Sequence, residues 1–310
     1  KIEFKKGENA MDQYSQPQPS FYQNEPFQEK PKSAIFETSP IKLILALVLP
    51  GLISAAFTGV VPALVSRIST SNKAYAVYSL LEPIVIFAVT ILLTFSLCKN
   101  KKEGIMALGL SFFVDSAVAL LPSLAGIFQE ENGFGIATVV AFASSAINFV
   151  ITIVLALYLT RNGEKREVAE PANGYFSTNR KYLIIAAVSI TVLKYLVSML
   201  LQNFLLTSVL TFVSNLLLLV LLVVFCRVGL KSLKDSLLFL GVFSLSSFVT
   251  DLYEGSVSFC ANVLNIPMAN IIIVAIIAAL ILIAVRVLLL VLMTREKKAD
   301  AVRTAEPQAE

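Results

Sequence analysis

Eight separate apolar tracts, at about 41–66, 75–97, 105–128, 135–160, 182–201, 205–226, 236–260 and 268–294, divide most of this chain. An α-helix rises about 1.5 Å per residue and a bilayer's hydrocarbon core is about 30 Å thick, so each tract is long enough to cross one. In hydrocarbon every backbone N–H and C=O must be satisfied within the protein, and helices do this segment by segment. The tracts therefore predict an all-α polytopic membrane protein with eight transmembrane helices joined by short loops. The fifth and sixth are separated only by Gln202 and Asn203. Together they are about twice the length of one span, so a tight hairpin is expected there. The composition, 56% hydrophobic and 15% charged residues, agrees with this solvent.

Residues 1–40 contain no such tract. Their QYSQPQPSFYQNEPFQEKPKS stretch is rich in Gln, Pro, Ser and Tyr and buries too little apolar surface to order itself, so a disordered cytoplasmic tail is expected. Lys-Lys-Gly-Glu within residues 1–10 is what a purine-rich ribosome-binding sequence would encode if it were translated. Residues 1–10 are accordingly expected to be untranslated in nature, with Met11 as the start and a bacterial source. The remaining divisions are a first membrane half at 41–160, a polar cytoplasmic linker at 161–181, a second half at 182–294 and a charged cytoplasmic tail at 295–310.

Basic residues alternate with the spans. Lys30, Lys32, Lys42, Lys99, Lys101, Lys102, Arg161, Lys165, Arg166, Arg180 and Lys181 fall on one side. So do Arg227, Lys231, Lys234, Arg295, Lys297, Lys298 and Arg303, against only Arg67 and Lys73 on the other. By the positive-inside rule both termini are cytoplasmic. The basic balance therefore reflects topology and is no sign of nucleic-acid binding. The two halves also end alike, 157-LYLTRNGEKREVAEP-171 and 291-VLMTREKKADAVRTAEP-307, and Cys98 and Cys226 each close the second helix of a half. These likenesses suggest a four-plus-four layout of parallel repeats related by an axis along the membrane normal.

Six ionisable side chains fall within the tracts: Glu82, Asp115, Lys194, Asp251, Glu254 and Arg286. Each costs about 2.5–3.5 kcal/mol at a helix centre and therefore needs a partner or water. Asp115, about 16 Å into its span, and Lys194, about 18 Å into its own, are near the midplane. Four acids outnumber two bases, so some of the acids are expected to bind a cation, carry a proton or face water. Asp115, Asp251, Glu254 and Glu82 are thus candidate proton or cation sites, and Lys194 a counter-charge or a holder of a substrate anion. Arg286 is close enough to the cytoplasmic side for its side chain to reach the headgroups, and is expected to be a snorkelling or a structural residue rather than a functional one.

In the seventh tract Ser244, Ser247, Asp251, Glu254 and Ser258 recur every three or four residues, forming one polar helix face. Ser111 and Asp115 begin a weaker stripe in the third, and a shift of about 135 residues brings Asp115 near Asp251. Ser244, Ser247, Ser258 and Ser111 are candidate cavity-lining residues. Hydroxyls and lone acids also serve as interhelical glue, and a Lys194–Asp115 pair could lock two spans together. In the first span Pro50-Gly51, Gly59 and Pro62 predict a kinked or broken helix.

The chain contains no histidine, which excludes HExxH metalloproteases and Ser-His or Cys-His nucleophilic sites. Three cysteines without a CxxC pattern make neither a zinc site nor a disulfide framework. No cofactor, metal or enzymatic activity is expected. Asp115 and Asp251 could form an aspartyl-type intramembrane pair, but SFFVD and FVTD lack the Gly-x-Gly-Asp signature of such proteases. The sequence reads as a permease-like transporter of a small solute or ion in a bacterial cytoplasmic membrane. Membrane lipids, the solute, and a membrane-protein partner or second copy are the expected partners. The alternative is a non-transporting scaffold or accessory subunit that binds proteins or anionic lipids through its tail and basic loops.

Overall fold

A computed structural model describes residues 34–68, 72–127, 134–162, 174–201, 207–263 and 271–295. The expectations for residues 1–33, including Met11, for 163–173 of the linker and for 296–310 lie outside these residues. Nine α-helices are described: α1 (Pro40–Ile68), α2 (Asn72–Leu97), α3 (Lys101–Val118), α4 (Leu120–Ile127), α5 (Phe134–Arg161), α6 (Arg180–Leu201), α7 (Thr207–Val224), α8 (Leu233–Asn262) and α9 (Ile271–Arg295). A π-helical turn, Phe225–Gly229, extends α7. The described residues include no strand, and eight helical segments are long and apolar enough to cross a membrane, with α3 and α4 forming one of them. The chain is a multi-pass, all-α membrane protein.

Prolines shape three of these helices through the carbonyl four residues earlier, which loses its hydrogen bond. Of the kink or break expected in α1, there is no break: the helix runs continuously through Pro50 and Pro62. The Ala46 carbonyl freed by Pro50 instead receives the Thr94 hydroxyl of α2, at 3.5 Å. Thr94→Val, which keeps the shape and removes this donor, is expected to cost about 1 kcal/mol in thermal unfolding in detergent. An unchanged melting temperature would remove Thr94 from that role. Pro83 of α2 frees the Ser79 carbonyl, against which Gly255 of α8 packs so closely that an added Cβ would lie 2.3 Å from the oxygen. Pro122 deprives Val118 of its partner, and there the third span breaks at Ala119 into α3 and α4.

The centre of the bundle is the crossing of α3 and α8. A Cβ on Gly109 would lie 2.0 Å from the Leu237 carbonyl oxygen, and one on Gly241 would lie 2.3 Å from that of Ile105. Each glycine thus seats the opposite backbone, and the partner carbonyl in each case belongs to the residue four positions before the other glycine. Around this crossing α2 lies against α8, α7 against α4, and α6 against α9, while α5 touches α1, α3 and α4. The buried runs Glu103–Leu110 of α3 and Asp235–Phe243 of α8 place the tightest packing at the end where the basic residues gather.

That end is fastened by two carboxylates. Asn100 caps α3 by accepting the Glu103 N–H at 2.8 Å, and Ser232 caps α8 by accepting that of Asp235 at 3.0 Å. In a capping box the acid would turn back to its own cap. Here Glu103, besides accepting from the side-chain amide of its own cap Asn100 (3.3 Å), accepts from the backbone N–H groups of Glu37 (3.2 Å) and Thr38 (2.9 Å) and from the Thr38 hydroxyl. Asp235 accepts from the Ser177 N–H (3.1 Å), the Ser177 hydroxyl (2.7 Å) and the Thr178 hydroxyl (2.7 Å). The segments entering α1 and α6 are thereby clamped to the N-termini of α3 and α8, where the helix dipoles favour negative charge.

Two boundaries drawn from composition shift as a result. The residues just before Pro40 and those of 174–179 belong to the packed bundle, with Phe36 at 1% and Phe176 at 0% exposure. One buried aromatic and a few hydroxyls per segment suffice when a helix terminus holds them, and average polarity conceals this. The three cysteines are free. Burial pushes the Cys98 thiol up to about 11, so it remains protonated and unreactive at neutral pH.

Candidate functional site

Above the packed end, α1, α2, α3, α5 and α8 diverge around a cavity of about 890 Å³. Four carboxylates line it: Glu82 from α2, Asp115 from α3, and Asp251 and Glu254 from α8. Ser111, Ser244 and Ser247 line it as well, so seven of the residues singled out in the sequence meet in one space. No lysine or arginine is among the described residues that line it. Asp115, Asp251 and Glu254 are exposed within the bundle, well inside their helices.

Local sequence explains the arrangement. On α8 the three-and-four spacing of Ser244, Ser247, Asp251 and Glu254 turns them to one side, and Gly241 fixes that rotation by fitting only against Ile105. On α3 the Ser111 hydroxyl, one turn before Asp115, donates to the Asp115 carboxylate at 3.1 Å. The other Asp115 oxygen accepts from the Asn148 amide of α5 at 2.6 Å. Thr152, one turn further on, donates to the Asn148 oxygen at 3.2 Å. A four-residue polar chain thus orients Asp115 and ties α3 to α5. A smaller recess of about 310 Å³ opens on the far side of Asp115 and Asn148, beside Pro122 and the break at Ala119.

The cavity also has apolar walls. Phe87 of α2 and Phe248 of α8 line it as a stacked pair with centroids 4.1 Å apart, and Phe149 and Leu52 contribute further hydrocarbon. These aromatics and the Thr152 hydroxyl were not singled out as site residues. For α5, the spacing of Ser145, Asn148 and Thr152 was a usable sign, because it places three polar groups on one helix face.

Two candidates lie elsewhere. Ser258 is one turn beyond Glu254, past the point where Gly255 meets the Ser79 carbonyl and closes α2 onto α8. Its hydroxyl and carbonyl oxygens accept from Asn262, which is a local role. Lys194 lies on α6, outside the cavity lining, within electrostatic range of Arg286, Glu254 and Asp251. Among the described residues it forms no ion pair with Asp115, whose carboxylate accepts one hydrogen bond each from Asn148 and Ser111.

Arg286 does not reach for headgroups. It is 5% exposed, with its Nε donating to the Ser246 hydroxyl at 2.9 Å and an Nη to the Thr191 hydroxyl. Its guanidinium carbon lies 3.8 Å from the centroid of the Phe243 ring, a cation–π contact. This knot joins α6, α8 and α9 on the face of α8 next to the one that carries the acids. The bases and acids therefore share the bundle but not the same space.

Comparison of this chain with protein-family models, with curated proteins and with solved structures finds no match.

Proposed function

We propose that this chain is a permease-like transporter of a bacterial cytoplasmic membrane that moves a small solute or ion without converting it chemically. The observation that carries this reading is the single cavity that gathers Asp115, Asp251, Glu254 and Glu82, with no basic side chain among the described residues lining it. Carboxylates exposed inside a membrane bundle have to be neutralised, and a bound cation or proton does so. In this reading Asp115 and Asp251 hold the cation, while Glu254 and Glu82, nearer the end away from the basic loops, pass it in or out. Lys194 and Arg286 supply a counter-charge from beside the cavity.

The four-plus-four repeat belongs to this proposal, and corresponding residues support it. Phe36 and Thr38 before α1 match Phe176 and Thr178 before α6, and the buried Leu43 matches the buried Leu183. Glu103 and Gly109 of α3 match Asp235 and Gly241 of α8. Under this pairing Asp115 corresponds to Ser247, so Asp115 and Asp251 are not symmetry mates. In this reading the orientation follows the basic residues, whose bias toward one side supports cytoplasmic termini. The tight crossing at that end then makes this form closed toward the cytoplasm.

Uptake into proteoliposomes under an imposed pH gradient tests the reading. Asp251→Asn, which keeps the shape and removes the charge, is expected to lower flux by about tenfold or more. Equal flux in the wild type and the variant would refute the assigned role. No flux from the wild type across a broad solute panel would favour the scaffold reading.

A further inference from the structure

Arg286 occupies a position whose counterpart in the first half borders the cavity. Helices α5 and α9 both end in Thr-Arg, and Thr160 and Thr294 each donate back to two carbonyls of the preceding turn: Thr160 to Ala156 (2.9 Å) and Leu157 (3.1 Å), Thr294 to Leu290 (2.7 Å) and Val291 (3.1 Å). Counted back equally from those threonines, Arg286 of α9 corresponds to Thr152 of α5, and both are buried, at 5% and 4% exposure. Counted from Thr178 and Thr38, Thr191 of α6 corresponds to Gly51 of α1. Counted from Asp235 and Glu103, Phe243 of α8 corresponds to Ser111 of α3.

The second half therefore fills this position with a guanidinium, seated on the Phe243 ring and bonded to two hydroxyls. The first half has Thr152, Gly51 and Ser111 there, three smaller residues that all line the cavity, while the counterpart of Ser246, Val114, is buried outside it. In place of an aromatic face it offers the Asp115 carboxylate, held by Ser111 and Asn148. Two equivalent places in one bundle thus differ in that one carries its own organic cation and the other has an acid facing open space.

We infer that the cavity takes an organic cation, a guanidinium or ammonium group on an apolar body, whose charged end sits beside Asp115 where Arg286 sits in the other half. The inference rests on reading this cavity as the transport site and on the repeat. Size leaves room for more than a bare ion: about 890 Å³ is in the range of small-molecule pockets. The charged end is served by Asp115 and Asp251, and the apolar body by the Phe87–Phe248 pair, Phe149 and Leu52. Aromatic faces and carboxylates together attract organic cations more specifically than either alone.

Thermal unfolding and calorimetric titration of the purified full-length chain in detergent, with benzylguanidinium as the probe, test this. At saturating probe the wild-type melting temperature is expected to rise by about 3 °C or more, while sodium chloride and benzoate at equal concentration leave it unchanged. Thr152→Arg places a tethered guanidinium in the cavity. It is expected to lose the probe-induced shift, whatever replacing this buried, hydrogen-bonded threonine does to the melting temperature itself. Asp115→Asn, nearly isosteric, is expected to weaken probe binding at least about tenfold, and this keeps the test decisive if Thr152→Arg folds poorly.

No shift in the wild type, an equal shift from sodium, or undiminished binding in Asp115→Asn would each overturn the inference. Binding and flux separate the two claims. Probe binding without any flux would overturn transport and leave the organic-cation site standing, whereas proton-coupled flux without probe binding would do the reverse.

Discussion

Gly109→Ala and Gly241→Ala are each expected to destabilise the bundle by about 3 kcal/mol, the upper part of the range for overpacking a close contact. The added methyl would enter within 2.0 Å of the Leu237 carbonyl oxygen in the first case and within 2.3 Å of that of Ile105 in the second. Both obstacles are backbone, so no rotamer change relieves them and α3 and α8 must separate. Thermal unfolding in detergent should show the loss, together with broadened size-exclusion profiles. The double variant should cost less than the sum, because one separation of the helices relieves both clashes. Gly51→Ala is the control: nothing lies within 4 Å of its added Cβ, and alanine favours the helix by about 1 kcal/mol. A melting temperature unchanged in Gly109→Ala would mean that α3 and α8 do not meet at this crossing.

The second large effect is expected at the clamps. Asp235, at 2% exposure, accepts from one backbone N–H and two hydroxyls of the segment before α6. Asp235→Asn replaces one acceptor oxygen with an NH₂ group facing those donors. A loss of about 2–4 kcal/mol is expected, as for a buried charge-assisted cluster with one member reversed. Glu103→Gln should behave alike at the segment before α1, because Glu103 is 4% exposed and accepts from Glu37 and Thr38. The exposed Lys99–Glu37 ion pair at the same place contributes little. Hydrogen exchange distinguishes a local clamp from a general loss of stability. In Asp235→Asn the Ser177 amide should exchange faster than amides in the middle of α8, and uniform acceleration would refute the clamp.

Glu103 and Asp235 show where a linear reading fell short. Each stands three residues after its cap, Asn100 or Ser232, just outside the apolar tracts that begin at 105 and 236, so its helix-start role is legible only when capping rather than hydropathy is followed. Their partners are not, because Thr38 is 65 positions from Glu103 and Ser177 is 58 from Asp235. A polar stretch such as that before Pro40 resembles tail until a distant carboxylate is seen to hold it. Arg286 shows the converse. Depth along α9 suggested headgroups, but Thr191 and Ser246 come from other helices and hold it inside.

The sequence by itself determined the number of apolar spans and their order. Hydropathy and the 1.5 Å rise are local properties, and no distant contact alters them. The polar stripe of α8 was also legible, because helical periodicity alone aligns Ser244, Ser247, Asp251 and Glu254. Only the tertiary structure decided what that stripe faces. A helix can rotate about its axis without changing its sequence pattern, and the Gly109–Gly241 contact sets that rotation. That contact turns Asp115, Asp251 and Glu254 toward a shared cavity, the Gly255–Ser79 contact brings Glu82 of α2 to it, and Lys194 and Arg286 are left beside it.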